Sequence, residues 1–305
     1  FLEGRLVDGK CPDCDREVEW VTEESYFFRM SKYGQRLLEH IEAHPEFIQP
    51  PTRRNEMVSF IRQGLEDLCV SRTTFDWGIP VPFDEDHVIY VWIDALTNYI
   101  TAMGYPDDLE RFEAWWPADV HVVGKDILRF HAVIWPCVLM ALGLPLPKQV
   151  YGHGWLLVES GKMSKSKGNV VDPNALIDEF GVDAIRYFLL REVTYGHDAK
   201  YSRQALAERI NADLANDLGN ALHRSLSMLE RFCDGVVPQP STPAPIDKEL
   251  QQLAQDVVVA LDEQVLDLEV NNALAELWRL VGGVNKYIDE TEPWSLAKAD
   301  GNRER

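Results

Sequence analysis

The sequence predicts two architectures in series, an α/β layer with a parallel sheet and then an all-α region. Three observations carry this reading. Between residues 71 and 160, short β-rich runs (Val88-Ile-Tyr-Val-Trp92, Val120-His-Val-Val123 and Gln149-Val-Tyr151) alternate with helical stretches over 94–103 and 125–142, the order that builds parallel sheets. From residue 203 onward the pattern is helical throughout: Leu206, Ile210, Leu214, Leu218, Leu222 and Leu226 recur every fourth residue, one apolar stripe that a long helix would turn into a bundle. Between the two lies Gly161-Lys-Met-Ser-Lys-Ser-Lys-Gly168, followed by a helical hairpin pattern.

The elements follow in order. Residues 1–70 open with Cys11-Pro-Asp-Cys14 and then read as helices, with Leu37, Leu38 and Ile41 on one stripe and Val58, Ile61, Leu65 and Leu68 on another. Residues 71–160 hold the α/β alternation. Residues 161–202 hold the lysine-rich loop and its hairpin. Within 203–305, Pro238-Gln-Pro-Ser-Thr-Pro-Ala-Pro245 marks a linker, two helices follow over 250–268 and 271–290, and Glu292-Pro293 ends the second.

Composition excludes several classes. Hydrophobic residues make up 46% and charged residues 26% of the 305, enough apolar material for two globular cores. No apolar run reaches the roughly 20 residues of a membrane span, and the longest, over 130–144, is broken by Pro136. With 30 Lys and Arg against 50 Asp and Glu, the net charge is −20. That disfavours nucleic-acid binding as an average, although a local basic loop can still hold a phosphate. Five cysteines with one close pair make no disulfide framework, which predicts a reducing, cytoplasmic setting. The chain opens at Phe1 in running sequence rather than at Met, which predicts a missing N-terminal part.

Three motifs carry candidate chemistry. Residues 161–168 contain three lysines and no acid; small residues and lysines together suit a mobile phosphate-binding loop or, equally, a solvated turn. Ile127, His131 and Trp135 are each four apart and project from one helix face, as a core stripe with an embedded histidine or as the wall of a pocket. Cys11 and Cys14 have the spacing of half a tetrahedral zinc site, a spacing that a redox pair or two chance cysteines would also give.

The strings are more specific than the spacings. Lys162-Met-Ser-Lys-Ser166 stands between Val150-Tyr-Gly-His-Gly-Trp155 and Gly168-Asn-Val-Val-Asp-Pro173, and upstream come Tyr90-Val-Trp-Ile-Asp-Ala95 with Tyr99 and Val123-Gly-Lys-Asp-Ile-Leu-Arg-Phe-His131 with Trp135. Over essentially its whole length the chain resembles the methionyl-tRNA synthetases, class I aminoacyl-tRNA synthetases. The resemblance implies the second half of a Rossmann-type nucleotide-binding domain, with the remnant of an inserted zinc-knuckle domain over 1–70, then an all-α anticodon-binding bundle. It implies ATP with Mg2+ as the nucleotide, and methionine and tRNA(Met) as partners. Lys162, Met163, Ser164, Lys165 and Ser166 would form the loop that closes over ATP. His153, Gly154 and Leu156 would lie along the adenosine, Gly124 and Asp126 at the edge of the active site, and Arg72 near the reacting groups. Trp92, Ala95, Tyr99, Ile127, His131 and Trp135 would line the methionine pocket. Asn220, Arg224 and Trp294 would bind the anticodon. Cys11 and Cys14 would supply half of a Zn2+ site whose other pair lies upstream.

None of the eight histidines forms the His-x-Gly-His signature of class I synthetases, which agrees with the expected N-terminal truncation. The main reading is a methionine–tRNA ligase. A synthetase for leucine, isoleucine, valine or cysteine shares the lysine loop, and Trp92 with the 124–135 segment argues against it. A non-catalytic tRNA-binding module derived from a synthetase is the alternative of a different class.

Overall fold

The computed structural model describes residues 9–10, 16–19, 22–159, 161–163, 168–194, 196–239 and 242–298. The chain divides into two compact units, Phe1–Gly152 and His153–Arg305.

In the first unit, helices α1 (Gly34–Ala43) and α2 (Pro51–Arg62) pack together through Leu37, Ile41, Met57 and Ile61, all buried. Pro51 opens α2 at a position where its missing N–H costs nothing. Strand β1 (Phe27–Phe28) pairs with β3 (Leu68–Cys69) in an antiparallel ribbon. Strands β4 (Ser71–Arg72), β5 (Pro80–Val81) and β6 (Asp84–Ile89) form an antiparallel sheet in the order β4-β6-β5. A third sheet runs β2-β8-β7, from β2 (Ile48–Gln49), β7 (Val120–Gly124) and β8 (Gln149–His153), and here β2 and β8 are parallel. Strands β2 and β8 do pair in parallel, but β2 comes from the stretch over 1–70 that the sequence reads as helices, and β6, expected in the parallel layer, lies instead in an antiparallel sheet.

Helix α3 (Val91–Thr101) corrects the strand expected over 88–92. The strand ends at Ile89, Tyr90 takes an extended conformation as the cap, and its carbonyl accepts from Ile93 N–H. Val91 and Trp92 thus belong to the helix, where Leu96 and Ile100 face the core. Their β-propensity loses to the apolar periodicity of the residues after them. Helix α4 (Leu109–Trp115) is capped by the Asp108 carboxylate, which accepts from Arg111 N–H at 3.0 Å. The continuous helix expected over 125–142 is three pieces: a 3-10 turn Lys125–Ile127, a π-helical turn Phe130–Ile134, and α5 (Trp135–Leu142). Helix α5 ends where Gly143 turns left-handed at φ 71°, a conformation that costs glycine little.

In the second unit, β9 (Leu156–Val158) lies between β10 (Gly161–Lys162), antiparallel to it, and β11 (Ala199–Lys200), parallel to it. Helix α6 (Pro173–Phe180), capped by Asp172, and α7 (Val182–Glu192) make the expected hairpin. Ile185 and Phe188 of α7 bury against Leu206 of α8 (Arg203–Arg209). The chain continues through a π-helical segment Ile210–Gly219 into α9 (Asn220–Cys233). Helices α10 (Pro245–Leu266) and α11 (Val270–Thr291) pair along their length, and α11 also packs on α7, the π segment and α9. A short α12 (Pro293–Leu296) follows.

The leucine stripe needs a second correction. Leu206 is buried, but Leu218, Leu222 and Leu226 are exposed, Leu222 by 59%. In the π segment and α9 the buried residues are Asp213, which accepts from Tyr187 of α7, and Ala221. Spacing shows which residues share a helix face; it does not show what covers that face. Among the described residues no helix is long and apolar enough to cross a membrane.

Candidate functional site

The first unit gathers most of the predicted pocket into one aromatic cluster. Trp92 and Tyr99 are seven apart on α3 and share a face. Trp92 stacks on Phe130 with ring centroids 3.8 Å apart and meets His131 edge-on at 6.3 Å. Tyr99 Oη lies 2.9 Å from His131 Nε2, and His131 Nδ1 lies 3.0 Å from the Ile127 carbonyl. A carbonyl only accepts, so Nδ1 carries the proton, Nε2 accepts, and Tyr99 O–H donates to it. This two-bond arrangement fixes one neutral tautomer. Trp135 is fully buried, 6.2 Å from the Tyr99 ring. Ala95 is exposed on α3.

Three residues that the sequence reading did not single out complete the cluster. Phe130 supplies the stacking partner of Trp92. His121, from β7, packs on Tyr99 at 4.3 Å and lies 6.0 Å from His131. Trp116 contacts both His121 and Trp135. The available signal was the density of aromatic and histidine residues over 115–135, which spacing arguments on one helix pass over. The cluster is kept uncharged. Burial, then the neighbouring His131, pushes His121 down to about 4, and burial lowers His131 as well despite its bond to Ile127. Burial also raises Tyr99. His121 Nε2 and Trp135 Nε1 are buried with no hydrogen-bond partner among the described residues.

Nearby positions in the same unit are less enclosed. Gly124 ends β7 in extended backbone and caps the 3-10 turn whose first residues include the exposed Asp126. Arg72, on β4, stacks its guanidinium over Tyr90 at 4.6 Å and donates to the Ser71 carbonyl at 3.0 Å. Its charge helps hold the Glu23 carboxyl low, after the backbone N–H bond from Thr73, the main cause.

In the second unit, His153 Nδ1 donates to the Gly154 carbonyl at 2.8 Å. A Cβ on Gly154 would sit 2.1 Å from the His197 carbonyl oxygen, so the backbone of 197–198 excludes any side chain there. Leu156 is in β9, paired with Ala199. Lys162 ends β10, opposite Leu157, with its ammonium 3.9 Å from the centre of the Trp155 ring. Met163 is half-buried. Ser164, Lys165 and Ser166 lie outside the described residues, as do Cys11 and Cys14. Among the described residues no group of three or more His, Cys, Asp or Glu is placed to hold a metal ion.

The helical region brings two of its three predicted residues together. Arg224, half-buried on α9, pairs with Asp289 of α11 and lies 5.9 Å from the ring of Trp294, the second residue of α12. Asn220, at the start of α9, is exposed. Asp289 is the residue missed here; nothing in the sequence ties it to a helix 65 positions away.

Known proteins match along the whole chain. The methionine–tRNA ligase of Caldanaerobacter subterraneus is 63% identical over 306 residues, covering 100% of this chain and 48% of that protein. That of Clostridium acetobutylicum is 57% identical with the same coverage. Among solved structures, Mycobacterium tuberculosis methionyl-tRNA synthetase bound by methionyl-adenylate superposes with a TM-score of 0.94 at 48% identity, covering 100% of this chain and 61% of that one. The chain therefore spans about half the length of the curated relatives it matches. The family described as tRNA synthetases class I (M) matches residues 1–226. With a class I synthetase fold of mixed α/β sheets followed by helices, the chain belongs to the class I tRNA synthetases of that family.

Proposed function

We propose that the chain is the methionine-binding and anticodon-reading part of a cytoplasmic methionine–tRNA ligase. The observation that carries this reading is the uncharged aromatic cluster of Trp92, Tyr99, Phe130, His131 and Trp135. On this reading 1–70 is the remainder of the inserted zinc-knuckle region, 71–160 the second half of the Rossmann-type catalytic domain, 161–202 the lysine loop with its stem-contact hairpin, and 203–305 the anticodon-binding domain.

The chemistry asks little covalent work of the protein. A carboxylate oxygen of methionine attacks the α-phosphorus of ATP, the bond to the bridging oxygen breaks, and pyrophosphate leaves. A hydroxyl of the terminal tRNA ribose then attacks the carbonyl carbon of methionyl-adenylate and AMP leaves. Methionine's carboxylate is already a nucleophile, so the first step needs positioning and charge stabilisation, not a general base. Lys165, assisted by Lys162, would stabilise charge on the departing pyrophosphate. His153, Gly154, Leu156, Gly124 and Asp126 would border the nucleotide, with Arg72 near the reacting groups.

The pocket suits a thioether. Aromatic walls favour sulfur by about 0.3–1.5 kcal/mol per contact. Charged side chains are disfavoured because the walls are aromatic and burial works against a charge on either imidazole. Cavity size alone discriminates smaller aliphatics by only about 1–3 kcal/mol per methylene. Ala95 and Ile127 would complete the wall. In the helical part, Trp294 would stack on an anticodon base while Asn220 and Arg224 hydrogen-bond to base edges, the usual way unpaired RNA is read.

Metals enter this reading differently. Magnesium would arrive with the triphosphate. A tetrahedral zinc site needs four ligands, of which Cys11 and Cys14 would supply two. The test is methionine-dependent ATP–pyrophosphate exchange by the full-length enzyme carrying this segment, compared with leucine, isoleucine, valine and cysteine. Methionine should dominate. Faster exchange with any of the other four would overturn the assignment.

A further inference from the structure

Lys162 is the described lysine of the signature loop, and the structure gives its ammonium a specific seat. The Trp155 backbone is held from both sides: its amide N–H donates to Asp198 Oδ1 at 2.9 Å and its carbonyl accepts from Ala199 N–H at 2.9 Å. The glycine before it is pressed against the 197–198 backbone so closely that no Cβ fits. The indole is therefore mounted on a stretch whose position β11 dictates. Lys162 is brought over it by the β9–β10 hairpin, in which Lys162 pairs with Leu157. The Asn169 side-chain amide, on the far side of the loop, donates to the Lys162 carbonyl at 3.3 Å. The ammonium then sits 3.9 Å from the ring centre, well inside the range of cation–π attraction. Among the described residues no carboxylate pairs with it.

We propose that Trp155 is the positioning residue for Lys162, its indole face holding the ammonium at the entrance to the lysine loop. A lysine has a flexible four-carbon stem, and electrostatic catalysis works only when the charge is already in place. The ring removes that freedom without neutralising the charge, which a carboxylate would do. The catalytic meaning of this role rests on the function proposed above; the contact itself does not.

Two readouts separate those levels. In the chain labelled with carbon-13 at the lysine ε position, the Lys162 methylene, assigned by its loss in Lys162→Gln, should resonate well upfield of the other lysines because it lies over an aromatic face. Trp155→Leu should return it to the ordinary position, and Trp155→Phe, which keeps a smaller ring, should retain part of the displacement. An undisplaced resonance in the wild-type chain would overturn the proposal. In the full-length enzyme, Trp155→Leu should lower kcat for methionine-dependent exchange about two- to fivefold, the range expected from an exposed cation–π contact. KM for methionine should not change, and Trp155→Phe should recover most of the rate. Full kcat in Trp155→Leu, or equal losses in the Leu and Phe variants, would sink the positioning role. A wild-type enzyme inactive with methionine but showing the displaced resonance would sink the functional reading and leave a structural contact.

Discussion

Acid should destabilise the first unit in part through His121, and His121→Phe should reduce that sensitivity. The ring lies on β7, is buried, packs on Tyr99 and Trp116, and is pushed from 6.5 to about 4 by burial and then by His131. Between those values the unfolded chain binds a proton that the folded chain refuses, so stability falls as pH falls through the window from about 6.5 to 4 and is fully present above it. At roughly 1.4 kcal/mol per pH unit, the interval amounts to about 3 kcal/mol. The lowered His131 acts in the same direction. Phenylalanine keeps the aromatic contacts and replaces the unpartnered Nε2 by carbon, which should leave stability at pH 7 unchanged or raised. The assay is urea unfolding followed by the near-ultraviolet signal of the Trp116–Trp135 cluster, at several pH values from 7.5 down to 4.5. The carboxylates titrate alike in both proteins and cancel in the difference. Parallel curves for wild type and His121→Phe would refute the reasoning.

Four further outcomes are expected. Lys165→Ala in the full-length enzyme should depress adenylate formation far more than methionine affinity, read as pyrophosphate exchange against equilibrium binding, because its charge matters while the phosphates rearrange. Asn220→Ala, Arg224→Ala and Trp294→Ala should weaken tRNA charging while sparing tRNA-independent exchange, with about 1–3 kcal/mol lost where a base stacks; equal losses in both assays would make them supports of the fold. Gly154→Ala should destabilise the β9–β11 pairing, costing about 1–3 kcal/mol by overpacking, visible as faster amide exchange at Ala199 and Tyr201. Leu222→Glu should change the chain's unfolding free energy by no more than about 0.5 kcal/mol, whereas Leu206→Ala should cost about 2–5 kcal/mol, since one is exposed and the other buried with Ile185 and Phe188.

The sequence made the local elements legible where pattern and punctuation agreed. Helix α11 falls within one residue of its expected bounds at either end, since Thr291 is followed by Glu292 and Pro293. It was misleading where a single helix changed character. The spacing of Ile127, His131 and Trp135 suggested an unbroken helix, yet the backbone passes from a 3-10 turn through a π turn before α5. The pocket residues still meet, because Tyr99 and the Ile127 carbonyl clamp His131 from two sides. What no local pattern could reveal were contacts supplied from elsewhere in the chain. His121 reaches Tyr99 from a strand, and Asp289 reaches Arg224 from another helix. The leucine stripe shows the same limit, since burial depends on the neighbour and not on the periodicity.

The pairing of Arg224 with Asp289 has a consequence for decoding. On the reading that Arg224 contacts an anticodon base, the base does not meet a free guanidinium; it meets one already engaged by a carboxylate and flanked by the Trp294 ring. A base with a matching pair of acceptors can exchange places with Asp289 at little net change, one charged bond for another. A base without that pair leaves Asp289 where it is and finds its own polar edge opposed by a carboxylate. Asp289 would then act as a competitor built into the protein, setting a threshold that only a correctly shaped edge can pass.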